Sequence, residues 1–314
     1  IKNRFCRIIF AHQIIMSFSV SKQMSDEYIL KTPVILDGIG FHSGKRNVII
    51  VEDNIENDGL YVVQEGKRYK IDPFAVSTEQ RTTSIVEGDQ IIAMTIEHLL
   101  SALHALNIRN LNIVFEEGNE VPILDGSAEG YMQLIESEIE LIRREVDVLE
   151  VTETVRQVAQ GDSSRFVQIE PSDSDVMTIQ STVSYPDSRI LKQEYIFKFS
   201  CLEDYRREIA NARTSFPFTI ESEEVIEETK SRLKGAIFTG ENKNVNIYSS
   251  WNTDKTRHEN EVARHKILDF LGDLNVLNIE LSPRITIKLF RTGHAINNAL
   301  ARRIATSLLK NGNS

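Results

Sequence analysis

Cysteine is scarce in this chain of 314 residues, which contains only Cys6 and Cys201. Two cysteines are too few for a disulfide framework or a zinc site built from thiolates, and such a low number is typical of a reducing compartment. Basic charge is also in deficit, because 36 lysines and arginines stand against 46 aspartates and glutamates, a net charge of −10. Since nucleic-acid-binding proteins usually carry a basic face, this balance argues against that class.

Long apolar runs and two familiar motifs are missing as well. No apolar run reaches the roughly eighteen residues that a membrane-spanning helix needs. The glycine-rich turn at residues 38–45 lacks the Gly-Lys-Ser/Thr ending of a P-loop, and the histidine-bearing segments lack the His-Glu-x-x-His spacing of zinc proteases. The length and the hydrophobic fraction of 41% do allow two domains with a sizeable core.

Residues 1–24 differ from the rest, because their basic residues meet no acidic residue before Asp26. Polar residues interrupt the apolar ones and no small-residue cleavage site follows, which argues against a targeting peptide. We therefore expect an extension that is disordered or not part of the native chain, with Met16 or Met24 as alternative starts.

The spacing of apolar residues predicts strands interspersed with helices at about 94–106, 127–143, 258–274 and from 294 onward. Two stretches that follow leucine-rich helices are alike, Ala-Leu-Asn-Ile at 105–108 and Asp-Leu-Asn-Val at 273–276. Such a repeat predicts two related α+β layers that face one another, and we expect domains at residues 25–145 and 146–314. Chance likeness of two leucine-rich helices is the alternative. If the repeat is real, equivalent histidines meet at the domain interface.

One predicted helix carries a polar stripe on an otherwise apolar sequence. His265, Asp269 and Asp273 follow one another at steps of four residues, so they share one helix face. Burying these groups is unfavourable unless their charges are compensated. A divalent metal held by His265 and Asp269 would compensate them, with Asp273 as an outer partner. A helix stabilised by salt bridges is the alternative interpretation.

A second predicted helix contains the pair Glu97-His98. Adjacent helical residues point about 100° apart, so these two side chains do not readily bind one ion together. They can supply one ligand and one nearby base. His98, His265 and Asp269 would form a two-histidine, one-carboxylate group with a fourth position open to water, the usual arrangement of catalytic zinc.

Four further polar residues are candidates for chemistry. His294 begins the last helix, where a cationic ring supported by Asp273 could protonate a leaving amine or stabilise an oxyanion; packing at the strand–helix junction is the alternative. Lys266 and Arg291 could hold phosphates or could be solvated surface charges. Thr214 lies in a polar turn, where its hydroxyl could act as a donor.

These segments together resemble the zinc-dependent UDP-3-O-acyl-N-acetylglucosamine deacetylases of lipid A biosynthesis. The resemblance runs from about Leu30 to Leu309 and keeps the family order. It is carried by six segments, namely residues 38–44, 95–103, 121–128, 212–214, 264–273 and 293–298. It implies a two-domain α+β sandwich, in which each domain is a helix layer packed on a β-sheet and the metal lies between the domains.

The resemblance also implies a metal and a base. His98, His265 and Asp269 correspond to the family's zinc ligands, and Glu97 to the general base that takes a proton from water. Iron also suits two imidazoles and a carboxylate, so Fe²⁺ is the alternative to Zn²⁺.

The remaining implied roles concern the substrate. His294 corresponds to the cationic partner of the oxyanion and the leaving amine, with Asp273 as its support. Thr214 corresponds to an oxyanion-stabilising residue and Lys266 to a substrate contact. Arg291 stands where the family commonly has lysine, which keeps the charge but alters phosphate geometry. The implied reaction releases acetate from the 2-acetamido group of the UDP-sugar.

The resemblance departs from the family in one segment. Residues 215–218 read Ser-Phe-Pro-Phe where Phe-Gly-Phe is usual, and Thr-Gly-Glu at 239–241 replaces a Gly-Gly-Ser stretch. This region, near 215–248, resembles the insert that encloses the acyl chain, so an amidohydrolase acting on a different acylated amino sugar is the alternative function. The expected setting is a cytoplasmic monomer that binds substrate and water, contacts membranes at most peripherally and binds no nucleic acid.

Overall fold

The structure, a computed structural model, describes residues 17–184, 192–218, 237–240 and 256–312. Its five α-helices in these ranges are α1 (Glu97–Ala105), α2 (Glu129–Ile135), α3 (Leu202–Tyr205), α4 (Glu261–Leu274) and α5 (His294–Gly312). Shorter helical turns are the 3₁₀ segments Pro73–Ala75, Glu136–Glu138 and Asn275–Leu277 and the π-helical segment Arg206–Ala210.

Strands make up most of the remaining described chain. The first nine are β1 (Phe18–Leu30), β2 (Val34–Ile39), β3 (Arg46–Asp53), β4 (Leu60–Gln64), β5 (Lys67–Lys70), β6 (Val76–Ser77), β7 (Ser84–Glu87), β8 (Gln90–Ala93) and β9 (Leu111–Glu117). The others are β10 (Ile139–Val151), β11 (Val155–Ala159), β12 (Asp162–Pro171), β13 (Met177–Val183), β14 (Gln193–Phe199), β15 (Ser215–Phe218), β16 (Ile237–Gly240), β17 (Glu280–Leu281) and β18 (Ile285–Phe290).

Two five-stranded sheets have the same topology. The strand order is β2-β3-β9-β4-β5 in one and β11-β12-β18-β13-β14 in the other. In both, the central strand is antiparallel to one neighbour and parallel to the other. Helices α1 and α2 flank the central strand β9 in the chain, just as α4 and α5 flank β18. This likeness agrees with the repeat seen in the sequence, and the α+β fold class is confirmed.

The helices bring the two halves together. Helix α1 packs on α4, while α4 also contacts β13 and β14, and α5 contacts β11 and β12. Apolar residues from both sheets and from these helices form one continuous core, in which Leu99, Leu103, Ile267 and Phe270 are fully buried. Nowhere in the described ranges is a helix both long and apolar enough to cross a membrane.

The expected extension at residues 1–24 is wrong for its last part. Strand β1 begins at Phe18, which is buried, and pairs antiparallel with β10 from Phe18–Val151 to Leu30–Ile139. Lys22, which meets no acidic neighbour in sequence, pairs across the strands with Asp147 at 2.6 Å. Cross-strand partners distant in sequence therefore stabilise this segment, and residues 1–16 lie outside the described ranges.

The division at residue 145 stays a prediction, and the position falls inside β10. The predicted acyl-chain insert near 215–248 lies largely outside the described residues. Within it, β15 and β16 form a parallel pair.

Candidate metal centre and active site

Two helices bring the predicted metal ligands together. His98 is the second residue of α1, whereas His265 and Asp269 lie one turn apart on α4. The potential ligand atoms of the three side chains all lie within 4.8 Å of one another. Asp269 Oδ1 is 3.0 Å from His265 Nε2 and 3.5 Å from His98 Nε2, and the two imidazole rings stand nearly perpendicular at 87°. The group is buried.

The protonation of His265 shows that this group fits a cation. Its Nδ1 lies 2.9 Å from the carbonyl oxygen of Ala212, and since a carbonyl only accepts, Nδ1–H donates and Nε2 keeps its lone pair. That lone pair faces Asp269 Oδ1, and within the described chain neither atom has a hydrogen-bond partner. Burial is the main cause that lowers the pKa of His265, despite the opposing effect of Asp269. A metal ion would satisfy both of these facing acceptors.

Asp269 divides its two oxygens between different partners. Lys266 Nζ donates to Oδ2 at 2.5 Å, one helical turn away. Burial acts to raise the pKa of Asp269, but the positive charges around it, among them Lys266, outweigh burial and hold this pKa well below its usual value. The carboxylate thus stays ionised, with Oδ1 directed toward the two imidazoles.

A buried ion pair fixes the loop that carries Ala212. The Arg213 side chain donates to Glu261 through Nε at 2.7 Å and Nη2 at 3.0 Å, and the Arg213 backbone N–H donates to the same carboxylate at 3.0 Å. Glu261 is the first residue of α4, where a carboxylate also interacts favourably with the helix dipole. The pair therefore joins the loop to the start of the helix that bears His265.

Glu97 lies beside the metal group at the start of α1. Its carboxylate accepts hydrogen bonds from the Thr82 hydroxyl at 2.7 and 2.9 Å and from the Thr83 backbone N–H at 3.0 Å. Its Oε1 is 3.6 Å from His294 Nε2. Glu97 is itself buried, with 3% of its surface exposed. Its adjacent position to His98 places a carboxylate next to the metal group without making it a ligand.

His294 lies between two carboxylates at the first residue of α5. Its Nδ1 donates to Asp273 Oδ2 at 2.9 Å, and Asn297 donates to the same oxygen at 2.8 Å. Burial acts to lower the pKa of His294, but the charges of Asp273, Glu97 and Asp269 outweigh it and raise this pKa to about 10. His294 is therefore a cation at neutral pH, and Nε2–H, which faces Glu97, is its second donor.

The other two predicted residues are placed less directly. The Thr214 backbone N–H donates to the Gly126 carbonyl at 2.7 Å, two residues beyond Ala212. Arg291 precedes His294 by three residues and has a left-handed φ of 51°, and its Nη1 is 3.5 Å from the hydroxyl of Ser164. The structure thus brings together seven of the nine predicted side chains, whereas the described contacts of Thr214 and Arg291 are with residues outside this group.

Several residues of the site escaped the sequence reasoning. Thr82 and Thr83 hold the Glu97 carboxylate, Ala212 orients His265, and Glu261 holds the loop. For the two threonines, the available signal was the run of three hydroxyl-bearing residues, Thr82-Thr83-Ser84, at the start of an apolar strand. The role of Ala212 leaves no signal in the sequence, because a backbone carbonyl is present whatever the side chain.

The site combines a group that fits a metal with an adjacent carboxylate and a cationic imidazole. A metal with an open position, a base and an acid are the parts that metal-dependent hydrolases use. The fold and the site therefore define this class.

Comparison with known proteins narrows the class. The sequence model of the family described as UDP-3-O-acyl N-acetylglycosamine deacetylase matches residues 27–306. The UDP-3-O-acyl-N-acetylglucosamine deacetylase of Aquifex aeolicus is 32% identical over 289 residues, covering 90% of this chain and 94% of that protein. The enzyme of the same name from Psychrobacter sp. is 32% identical over 284 residues, with 88% and 90% covered. That from Campylobacter fetus is 34% identical over 245 residues, with 76% and 79% covered. The chain belongs to this deacetylase family.

Proposed function

We propose that the chain removes the N-acetyl group from a UDP-3-O-acyl-N-acetylglucosamine and releases acetate, a step of lipid A biosynthesis. The relatives' names describe this substrate and this reaction. The observation that carries the proposal is the meeting of His98, His265 and Asp269 beside Glu97 and His294. A hydrolysis of an unactivated amide needs an activated water and a proton for the leaving amine, and these residues can serve both needs.

The family is metal-dependent, and we assign Zn²⁺ as the metal, with Fe²⁺ as the alternative. His98, His265 and Asp269 would hold it, since two imidazoles and one carboxylate suit both ions and leave a coordination position open. When bound, such an ion makes water more acidic and polarises an amide carbonyl. Ala212 and Lys266 support the ligands from outside, because one fixes the His265 tautomer and the other holds Asp269 Oδ2.

Glu97 is the general base in this proposal. Its carboxylate is held by donors from Thr82 and Thr83, which restrict its rotation. A carboxylate beside the metal group can take the proton of the attacking water as the new C–O bond forms.

His294 is the general acid. Asp273 accepts a hydrogen bond from His294 Nδ1–H, which orients the ring, and its charge helps to keep the ring protonated. The Nε2 proton can then pass to the amine nitrogen as the C–N bond breaks, or stabilise the oxyanion that precedes this step. We assign the Thr214 hydroxyl as a further donor to that oxyanion, on the basis of its place two residues beyond Ala212.

Two cations are assigned to the phosphates of the substrate. The Lys266 ammonium is 15% exposed and reaches solvent beside the metal group. Arg291 lies three residues before His294, with its guanidinium near the hydroxyl of Ser164 at the surface. Lys266 contacts a proposed metal ligand and Arg291 is close in sequence to His294, and both carry the positive charge that an anionic ligand needs.

We propose that the enzyme acts as a cytoplasmic monomer. All residues of the site come from one chain, so no second copy is needed to complete it. The low cysteine content supports a reducing compartment. Substrate and water are the proposed partners, without nucleic acid and with peripheral membrane contact at most.

Acetate release from the UDP-sugar by purified enzyme tests the proposal. We expect turnover that is lost on treatment with a strong chelator and in Glu97→Gln, whereas Glu87→Gln, at the exposed end of β7, retains it. An enzyme that contains metal but leaves the UDP-sugar intact would refute the proposal.

The second candidate is hydrolysis of a different acylated amino sugar, which the unusual text at 215–218 and 239–241 favours. Substrates that differ only in the 3-O-acyl chain, assayed beside simple N-acetyl sugars, separate the two. Turnover restricted to sugars without UDP would favour the second candidate.

A further inference from the structure

Thr83 contacts all three helices that carry the site, although it belongs to none of them. It immediately precedes β7 and is fully buried. Its carbonyl accepts from the Ile96 N–H at 3.2 Å and its N–H donates to Glu97 Oε2 at 3.0 Å, both at the start of α1. Its hydroxyl contacts Asp273 Oδ1 on α4 and lies 3.0 Å from Asn298 Nδ2 on α5.

The direction of each hydrogen bond at the Thr83 hydroxyl follows from its partners. Carboxylate oxygens accept hydrogen bonds, so the single hydroxyl proton of Thr83 is directed to Asp273 Oδ1. Asn298 Nδ2 also donates to the His294 carbonyl at 3.0 Å, which fixes the amide nitrogen on this side. The Thr83 hydroxyl therefore accepts a hydrogen bond from Asn298 and donates one to Asp273.

The two carboxylates that Thr83 holds are the two that face His294. Glu97 presents Oε1 to His294 Nε2 at 3.6 Å, and Asp273 presents Oδ2 to Nδ1 at 2.9 Å. Thr83 binds Oε2 of Glu97 and Oδ1 of Asp273, and this Oδ1 also lies 3.1 Å from His294 Nδ1. A donor bound to one oxygen limits rotation of a carboxylate, so Thr83 fixes the orientation of both carboxylates toward His294.

We propose that Thr83 is a positioning residue for the reaction: it holds Glu97 and Asp273 on opposite sides of the His294 ring and so sets the distance between base and acid. The inference rests on the proposed function for its kinetic consequence. The arrangement itself is a property of the folded chain and can be tested without turnover.

A set of three substitutions separates positioning from general support of the fold. Thr83→Val keeps the shape and both backbone hydrogen bonds but removes the hydroxyl. Thr83→Ser keeps the hydroxyl and removes a methyl group. Ser84→Ala is the matched control, because Ser84 is the next residue, is also buried, and its hydroxyl has no hydrogen-bond partner within the described residues. If Thr83→Val does not fold, Thr83→Ala replaces it, because alanine has no γ-methyl group that would contact the Asp273 carboxylate.

The first readout is kinetic. We expect Thr83→Val to lower kcat by about 10- to 100-fold, the usual effect of losing an outer-shell partner, with KM and metal content unchanged. Thr83→Ser should restore kcat, and Ser84→Ala should match the native enzyme. A Thr83→Val enzyme with the kcat of Ser84→Ala would overturn the proposal, as would a fall in kcat that Thr83→Ser does not reverse.

The second readout does not depend on activity. The ¹⁵N chemical shifts of the His294 ring at one fixed pH report the hydrogen bond from Nδ1 to Asp273, and we expect them to change in Thr83→Val and to stay native in Thr83→Ser. Unchanged shifts in Thr83→Val would refute the positioning role. If the native enzyme turns over no UDP-sugar, the proposed function fails while this readout still decides the role of Thr83.

Discussion

Gly272 on α4 contacts the backbone of Glu97 on α1 so closely that a Cβ atom at position 272 would lie 1.9 Å from the Glu97 carbonyl oxygen. The same Cβ would be 3.1 Å from the Ser101 backbone nitrogen. Because the obstacle is backbone, no side-chain movement can relieve the clash. The close crossing of these two helices determines how far His98 lies from His265 and Asp269. The three metal ligands can therefore meet only because residue 272 has no side chain.

Gly272→Ala should therefore separate α1 from α4 and weaken metal binding. We expect a loss of about 1–3 kcal/mol in the free energy of unfolding from overpacking, together with a lower affinity for Zn²⁺. Denaturant unfolding and competition with a chelator measure the two effects. The control is Gly130→Ala on α2, whose Cβ would meet only the Leu124 side chain, at 2.9 Å. Native metal affinity in Gly272→Ala would contradict the argument.

His294 should remain protonated through neutral pH in the metal-free protein, because its pKa is raised to about 10. The folded-state pKa exceeds the ordinary 6.5, so this group stabilises the fold fully below about pH 6.5 and loses that contribution as the pH rises through about 10. Asp273→Asn should lower the pKa of the ring. An NMR titration of His294 measures it, with Asp147→Asn, at an exposed strand pair, as the control. A pKa near 6.5 in the native protein would show that the carboxylates do not outweigh burial.

Metal binding should stabilise the folded chain through the unpartnered acceptors at His265 and Asp269. At a free Zn²⁺ concentration of 100 Kd, the expected gain is about 2.7 kcal/mol. Thermal unfolding with and without Zn²⁺ measures it, and elemental analysis should find roughly one ion per chain. His265→Ala should lose the gain, whereas His258→Gln, which removes an imidazole bonded to Asn211, should keep it. An equal gain in both variants would place the ion elsewhere.

Glu261→Gln should destabilise the chain and loosen the metal group at once. Breaking a buried ion pair by removing one partner typically costs about 3–5 kcal/mol, and Arg213 is 5% exposed here. Because the pair holds the loop whose Ala212 carbonyl orients His265, Zn²⁺ affinity should also fall. Urea unfolding and a chelator competition measure these effects. Asp175→Asn, which breaks the exposed pair with Arg284, should leave both nearly native.

The sequence predicted much of the site because its spacing is local. His265 and Asp269 share a helix face by their separation alone, and Glu97 precedes His98 directly. The convergence of the two helices was predicted only through the repeat and the family resemblance. Contacts that depend on tertiary structure, such as Thr83 with Asp273 across 190 positions, have no local pattern.

One predicted helix illustrates the limit of local patterns. The text at 127–143 predicted a single helix, but α2 ends at Ile135 and β10 begins at Ile139. Residues 139–143 pair with β1 as far as Asp26 opposite Arg143. Strand pairing overrides helix propensity there, since it satisfies the backbone hydrogen bonds of both strands.

The long ribbon of β1 and β10 has a consequence for how a ligand arrives. Strand β10 leads from one sheet toward the other, β1 accompanies it over its whole length, and β17 pairs with it near the far end. A connection of this kind resists bending, unlike the single-stranded linker of a hinged enzyme. The two sheets are therefore joined by a paired ribbon rather than by a single strand, so we expect them to keep one relative orientation as a ligand arrives.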